Sequence, residues 1–435
     1  MTAPAGPDLN PLLEIERRVT ERAKALALDL DQASAQSELR RLVEEEIDRW
    51  RDDFEHGRRP HPLPDPAAVA ERATRNVAGL GPLGPLLEDD DVWEIMINAP
   101  DAVFVKRHRG LSGYHDEVFH DDDHVVRVLT KILDGSRGAH RKLDPTEGLQ
   151  DAQLDDGARL HIVHGDISRG GHVIVNIRKF TGVAFSDLSE LVERGTLSHQ
   201  VARFLSACVR ARLSIVFAGA PGAGKTTLLS CCAAELDPSL RVVIAEEVFE
   251  ADVPVANVAS MQTRPARADR PAVDLRRLVA GFLRMAPDVA IVGEVRDREA
   301  LPLLLTLSSG VKGFTTIHAG SARQALSRLR FVAQLSESAH DLTVASLTSL
   351  VTEAVDLVVH SERGRNGPNV TSVLAVEDLT GGADAGQFTT TEVFHRRGPD
   401  SELTWTGNVP VRLAGSFGSA GIDLADLLSG AGQPR

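Results

Sequence analysis

At 435 residues the chain is longer than one ordinary hydrophobic core can serve, which sets an expectation of about three domains, or of two with an N-terminal extension. Hydrophobic residues make up 42% and charged residues 25%, which excludes global disorder. The formal net charge of -14, with no long Lys/Arg run or aromatic-plus-basic stretch, argues against nucleic acid as a partner.

Cys208, Cys231 and Cys232 are the only cysteines, an adjacent pair and a distant third that fit neither a disulfide framework nor a zinc spacing. Residues 1–16 carry early prolines and acids where a secretory leader would have a basic segment and an apolar run. No stretch reaches the ~18 uninterrupted apolar residues of a membrane span. The expectation is a cytoplasmic protein that meets a membrane only peripherally or through a partner.

In chain order, Leu12, Ile15, Val19, Ala23, Leu26 and Leu30 recur at three- and four-residue steps, and Leu39, Leu42, Val43, Ile47 and Trp50 repeat the pattern. This predicts two amphipathic helices in a helical region over 1–60, serving either as a small self-packed domain or as a partner-docking arm. The proline-rich stretch 58–66 reads as a linker. A third helix from Ala67 leads into a mixed α+β domain over 67–180, with strands over 93–98, 102–106 and 173–180 and a hinge at Thr181-Gly182. From 183 to 413, helix-like and β-branched segments alternate and predict an open, largely parallel sheet covered by helices. Residues 414–435, rich in Gly, Ser and Ala, predict a flexible tail.

The strongest signal lies at 213–236. An apolar β-rich run, 213–218, is followed by Gly219, Ala220, Pro221, Gly222, Ala223, Gly224, Lys225, Thr226 and Thr227, and then by a helix-forming stretch. Strand, glycine loop and helix in this order form a phosphate-binding loop: backbone amides turn inward and the helix offers its positive end to the same charge. Lys225 is expected to reach the β- and γ-phosphates of a nucleoside triphosphate and the Thr226 hydroxyl to ligate magnesium, while Thr227 helps fix the loop.

Further carboxylates follow at strand ends. The run 289–292 ends in Gly293-Glu294-Val295-Arg296-Asp297, where Glu294 can hold magnesium through water or accept a proton from attacking water. The run 241–245 ends in Glu246-Glu247-Val248-Phe249-Glu250, either a second source of carboxylates or an acidic surface turn. A third run, 313–319, places Thr315, Thr316 and His318 at another strand end. His161, His164 and His172 are irregularly spaced and unaccompanied by Cys, a weak candidate for metal binding.

Phosphate loop, acidic run, Gly-Glu strand end and Thr-Thr-Ile-His-Ala, in that order, together resemble the type II/IV secretion ATPase family. The likeness extends N-terminally through 79–86, Glu94-Ile95-Met96-Ile97-Asn98 and Ile177-Arg178-Lys179-Phe180, covers roughly 70–410, and looks closest to the tight-adherence (Flp-type) pilus assembly branch. It implies an α/β fold with a RecA-like P-loop core behind a mixed α+β domain and an N-terminal helical extension. It also implies a homohexameric ring with ATP and magnesium between the domains, inner-membrane platform proteins as partners, and a motor that couples ATP hydrolysis to pilus assembly or protein secretion. By motif position Glu294 takes the Walker B role as base or water-positioning group, with Glu250 as alternate. Glu247 and Glu250 fall in the acidic box, and His318 is the histidine-box residue near the γ-phosphate. Arg159, Arg178 and Arg264 match basic positions around the nucleotide or the subunit interface. The sequence departs from the family at Glu247, where Asp is usual, at Gln153, where Arg is common, and at Ala286, which replaces a frequent Arg.

Rival readings make separate demands. A DNA-translocating or recombinase-like P-loop ATPase would have to bind a polyanion despite the acidic balance. A small-molecule kinase needs neither the large N-terminal domain nor the histidine box, and a GTPase would carry an Asn-Lys-x-Asp motif, which is missing here. A non-enzymatic assembly scaffold would draw only on the three departures.

Overall fold

The computed structural model describes residues 11–29, 33–107, 111–135, 143–154, 157–179, 185–264, 266, 271–336, 339, 341–364, 367–378, 386–398 and 401–430. Leu30, Phe180, the expected Thr181-Gly182 hinge and the last five residues lie outside the described residues. The chain divides into two compact units, Met1–Thr181 and Gly182–Arg435.

In the first unit, α1 (Pro11–Ala25), α2 (Ala33–Glu55) and α3 (Pro66–Ala78) pack on one another. Leu12, Ile15, Val19 and Ala23 of α1 meet Leu39, Leu42, Val43, Ile47 and Trp50 of α2, with Ala73 of α3 completing the core. Leu26 departs from the expected stripe and is 52% exposed: α1 has ended at Ala25, and Ala27 turns the chain at φ +50°. The stretch expected as a linker packs back instead. The Arg59 guanidinium lies 3.6 Å from the Trp50 ring centre and pairs with Glu14 at 2.6 Å, while the Trp50 indole N–H donates to the His61 carbonyl at 3.2 Å. The third helix begins where Asp65 caps it, accepting from the Ala68 N–H at 3.0 Å, with Pro66 in the first turn.

After α4 (Leu83–Glu88) comes an antiparallel six-stranded sheet of β1 (Val92–Ala99), β2 (Ala102–Arg107), β3 (Gly113–Tyr114), β4 (Leu149–Gln153), β5 (Arg159–Val163) and β6 (Ile174–Arg178), in the order β3-β2-β1-β6-β5-β4. Alternate residues Ile95, Ile97, Val103, Val105, Leu160, Ile162, Val175 and Ile177 face one core, shared with Val125, Val128, Leu129, Ile132 and Leu133 of α5 (Asp122–Gly135). The α1 helix is tied to this layer through Glu16, which accepts from Asn76 Nδ2 at 2.7 Å and lies 2.8 Å from His120 Nε2.

The second unit opens with α6 (Leu188–Glu193) and α7 (His199–Arg210), then alternates: β7 (Ile215–Gly219), α8 (Lys225–Ala233), β8 (Val242–Glu246), β9 (Val258–Gln262), α9 (Leu275–Val279), β10 (Val289–Val295), α10 (Ala300–Ser308), β11 (Lys312–Ile317), α11 (Ala322–Gln334) and α12 (Val344–Ala354). It continues through β12 (Leu357–Gly364), β13 (Gly367–Val376), β14 (Thr390–Arg396) and β15 (Leu403–Trp405) to α13 (Leu413–Ser419) and α14 (Leu424–Ser429). The nine strands lie in the order β15-β14-β13-β12-β7-β11-β10-β8-β9. From β12 to β9 every pairing is parallel, as expected, whereas β13, β14 and β15 add antiparallel pairings. The tight Gly364–Gly367 connection allows only the antiparallel sense, because a parallel neighbour needs a long crossover.

Helices cover both faces of this sheet. Ile215, Phe217, Ile244 and Ile291 point to the layer holding α7 and α8, while their neighbours Val216, Ala218, Val243, Ala290 and Val292 point to the layer of α9 to α12. The flexible tail expected over 414–435 is corrected over its described part. Leu413, Phe417, Leu424 and Leu428 are buried in the core beside Phe204 of α7, since four well-spaced apolar side chains outweigh the intervening Gly and Ser. Among the described residues no helix is long and apolar enough to cross a membrane.

Candidate functional site

The central strand β7 delivers the phosphate loop to the carboxyl edge of the parallel strands. Gly224 holds φ +78°, and a Cβ there would stand 3.0 Å from Pro368, so only glycine suits the turn into α8. Gly224 offers no side chain to cap α8, and the amides of a helix's first turn have no intrahelical acceptors. Lys225, buried, sends its ammonium to the Ala220 carbonyl at 3.2 Å and to within 3.3 Å of His318 Nδ1. Thr226 and Thr227 follow in the first turn of α8 and are half-buried.

His318 leaves the end of β11. Its Nδ1 lies 3.2 Å from the Gly219 carbonyl, and its Nε2 makes a 2.6 Å ion-pair contact with Glu294 Oε1. A neutral imidazole accepts from Lys225 at Nδ1; a protonated one donates there to Gly219. Glu294 lies on β10 itself, which runs to Val295, and its Oε2 accepts from Arg296 Nε–H at 2.7 Å. Burial pushes the Glu294 carboxyl up, but contact with His318 and the Arg296 charge outweigh it and hold the group down at about 2. Arg296 also donates to Glu247 Oε2 at 2.9 Å. Burial opposes its charge, yet Glu294 and Glu247 raise its pKa above the ordinary guanidinium value.

Glu246, at the end of β8, is buried and accepts the backbone amides of Glu250 at 3.1 Å and Ala251 at 2.9 Å, which sets the course of the acidic run. Thr316 on β11 donates its hydroxyl to the Gly293 carbonyl at 2.7 Å, tying two of the converging strand ends together.

The structure thus gathers Lys225, His318, Glu294 and Glu247 into one series, with Glu250 three residues further along the acidic run. Arg264 is not part of this series: it forms a bridge with Val273 and its guanidinium donates to the Pro271 carbonyl at 3.2 Å. Arg159 and Arg178 belong to the first unit, where they are register partners on β5 and β6. His161 and His172 pair with separate carboxylates, Asp151 and Asp122, and no metal-binding cluster occurs among the described residues. Two participants, Glu246 and Arg296, have no role that the sequence assigns. Both lie in segments the sequence singles out, the acidic run and Gly-Glu-Val-Arg-Asp, but only the fold shows Glu246 turned inward and Arg296 spanning two strand ends.

A family model described as Type II/IV secretion system protein matches residues 76–366. The chain belongs to this family. It is 31% identical over 308 residues to a Mycobacterium tuberculosis protein named for conjugal transfer, covering 69% of this chain and 85% of that one. It is 30% identical over 304 residues to the type IV secretion system protein PtlH of Bordetella pertussis, covering 65% of this chain and 88% of that one. Among solved structures, the VirB11 ATPase of the Brucella suis type IV secretion system is 25% identical, with 67% of this chain and 94% of that one covered at a TM-score of 0.36. Family and topology agree on the fold class: an α/β, RecA-like P-loop core, preceded in the sequence by a mixed α+β sheet and a helical N-terminal extension.

Proposed function

We propose that this chain is a magnesium-dependent ATPase that serves as a cytoplasmic motor of a secretion or pilus-assembly machine. The observation that carries this reading is the continuous series Lys225, His318, Glu294, Arg296 and Glu247 beside the phosphate loop. The loop 219–227 would hold the triphosphate through its amides and Lys225. Thr226 and, through water, Glu294 are the oxygen donors suited to magnesium, which when bound neutralises phosphate charge. Glu294, kept ionised by His318 and Arg296 despite its burial, is the base or water-positioning group. Glu250, further along the acidic run, is the alternate carboxylate for that role.

Family membership supports the remaining parts. They are a homohexameric ring, Arg159, Arg178 and Arg264 supplying positive charge at the nucleotide or subunit boundary, and recruitment to an inner-membrane platform. The tight-adherence branch rests on the motifs alone.

Calorimetry with Mg-ATP and measured phosphate release test the reading on the full chain. Wild type takes up Mg-ATP and turns it over slowly, Lys225→Ala does neither, and Glu294→Gln binds without turnover. Well-folded protein that takes up no Mg-ATP would overturn the reading. Phosphate release that is stimulated by DNA and falls steeply with salt would favour a translocase instead.

A further inference from the structure

Glu294 and Glu247 leave the sheet from two neighbouring strands, and one guanidinium spans them. Arg296 donates from Nε to Glu294 Oε2 at 2.7 Å, places a second nitrogen on the same oxygen, and reaches Glu247 Oε2 at 2.9 Å. The other Glu294 oxygen faces His318 at 2.6 Å. One oxygen of the carboxylate proposed to hold magnesium is therefore already taken by a guanidinium of the same chain, and the other lies at contact distance from an imidazole. A metal-bound water and a guanidinium draw on the same oxygen lone pairs, and both cannot hold Oε2 in full. Of the two partners, His318 is pinned on its far side by Gly219 and Lys225, whereas the Arg296 side chain is 43% exposed and has a second carboxylate to rest on.

We propose that Arg296 is an internal competitor for the divalent cation at Glu294: metal uptake exchanges the guanidinium off Oε2 while Glu247 keeps it tethered. This rests on the ATPase reading and adds to it a regulation of that site. It also gives Glu247 a role that its extra methylene suits, since the carboxylate acts as a perch for Arg296 rather than as a metal ligand.

The test is Mn2+ binding to the full chain, read from the electron paramagnetic resonance signal of free Mn2+ in saturating ADP. Arg296→Ala is expected to bind Mn2+ about five-fold more tightly than wild type. Arg296→Lys is expected to lie between, because an ammonium cannot span two carboxylates as a planar fork does. Equal affinities in all three proteins overturn the competitor role, and so does weaker binding in Arg296→Ala, which would make the guanidinium a support of the metal site. If Arg296→Ala does not fold, as read by circular dichroism, the lysine variant alone decides between tighter and unchanged binding. Failure of every protein to take up ADP or Mn2+-ADP would instead sink the ATPase reading and this inference with it, a result distinct from uptake with unchanged metal affinity.

Discussion

Glu246 lies flat against Gly293: a Cβ on the glycine would stand 2.8 Å from Glu246 Cγ and 3.0 Å from its Oε1. The carboxylate seated there holds the amides of Glu250 and Ala251, so a small residue on β10 sets the path of the acidic run after β8. Gly293→Ala is expected to displace Glu246, lower stability by roughly 1–3 kcal/mol, and reduce turnover through the disturbed acidic run. Thermal unfolding and phosphate release measure both effects; a variant matching wild type in each would mean that Glu246 has room to step aside.

Removing His318 separates Lys225 from Glu294 without deleting either. His318→Ala is expected to lower phosphate release roughly ten-fold or more while nucleotide affinity changes far less, because the loop amides and Lys225 remain. Wild-type turnover in this variant would show the imidazole to be a bystander.

His124 of α5 supplies a pH signature in the first unit. Burial pushes its imidazole down to about 4 from the usual 6.5, helped by the charges of Arg127, His120 and Arg72 and opposed by Asp121. The unfolded chain therefore takes up a proton between pH 6.5 and 4 that the folded chain refuses, and stability falls as the pH drops through that window, by roughly 3 kcal/mol in all. Denaturant unfolding at several pH values should show this slope, and His124→Leu should flatten it whatever its offset. An unchanged slope in the variant would assign the effect to another group.

Asp356, just before β12, is buried and accepts from the Ser214 amide at 2.8 Å, Lys312 at 2.8 Å and Arg412 at 3.1 Å. Asp356→Ala strands two cations and an amide, and is expected to cost roughly 3–5 kcal/mol. Since Arg412 precedes α13, the loss should also make the C-terminal helices susceptible to limited proteolysis. Undiminished stability would mean that water or Glu377 takes over.

Local patterns made the phosphate loop legible, because an apolar run, spaced glycines and a helix-forming segment each signal over a few residues. The same holds for Glu294 and His318, each carried to the sheet edge by a recognisable buried strand. Arg296 was opaque for the opposite reason: its partner Glu247 is 49 residues away and becomes a neighbour only once β8 and β10 pair. Composition misled at the C-terminus, where frequent Gly and Ser hid four apolar residues with helical spacing. It misled again at 58–66, where prolines suggested a free connection although Arg59 and His61 anchor the chain to Trp50.

The polar series follows the lateral order of the strands. Lys225 follows β7, His318 follows β11, Glu294 sits on β10 and Glu247 follows β8, and these four strands are consecutive neighbours in the sheet. Each step spans one inter-strand gap of about 4.8 Å, a spacing fixed by backbone hydrogen bonds. The reach from ammonium to far carboxylate is thus as inelastic as the sheet, and adjustment there comes from side-chain rotation, one rung at a time, with Arg296 at the loosest end.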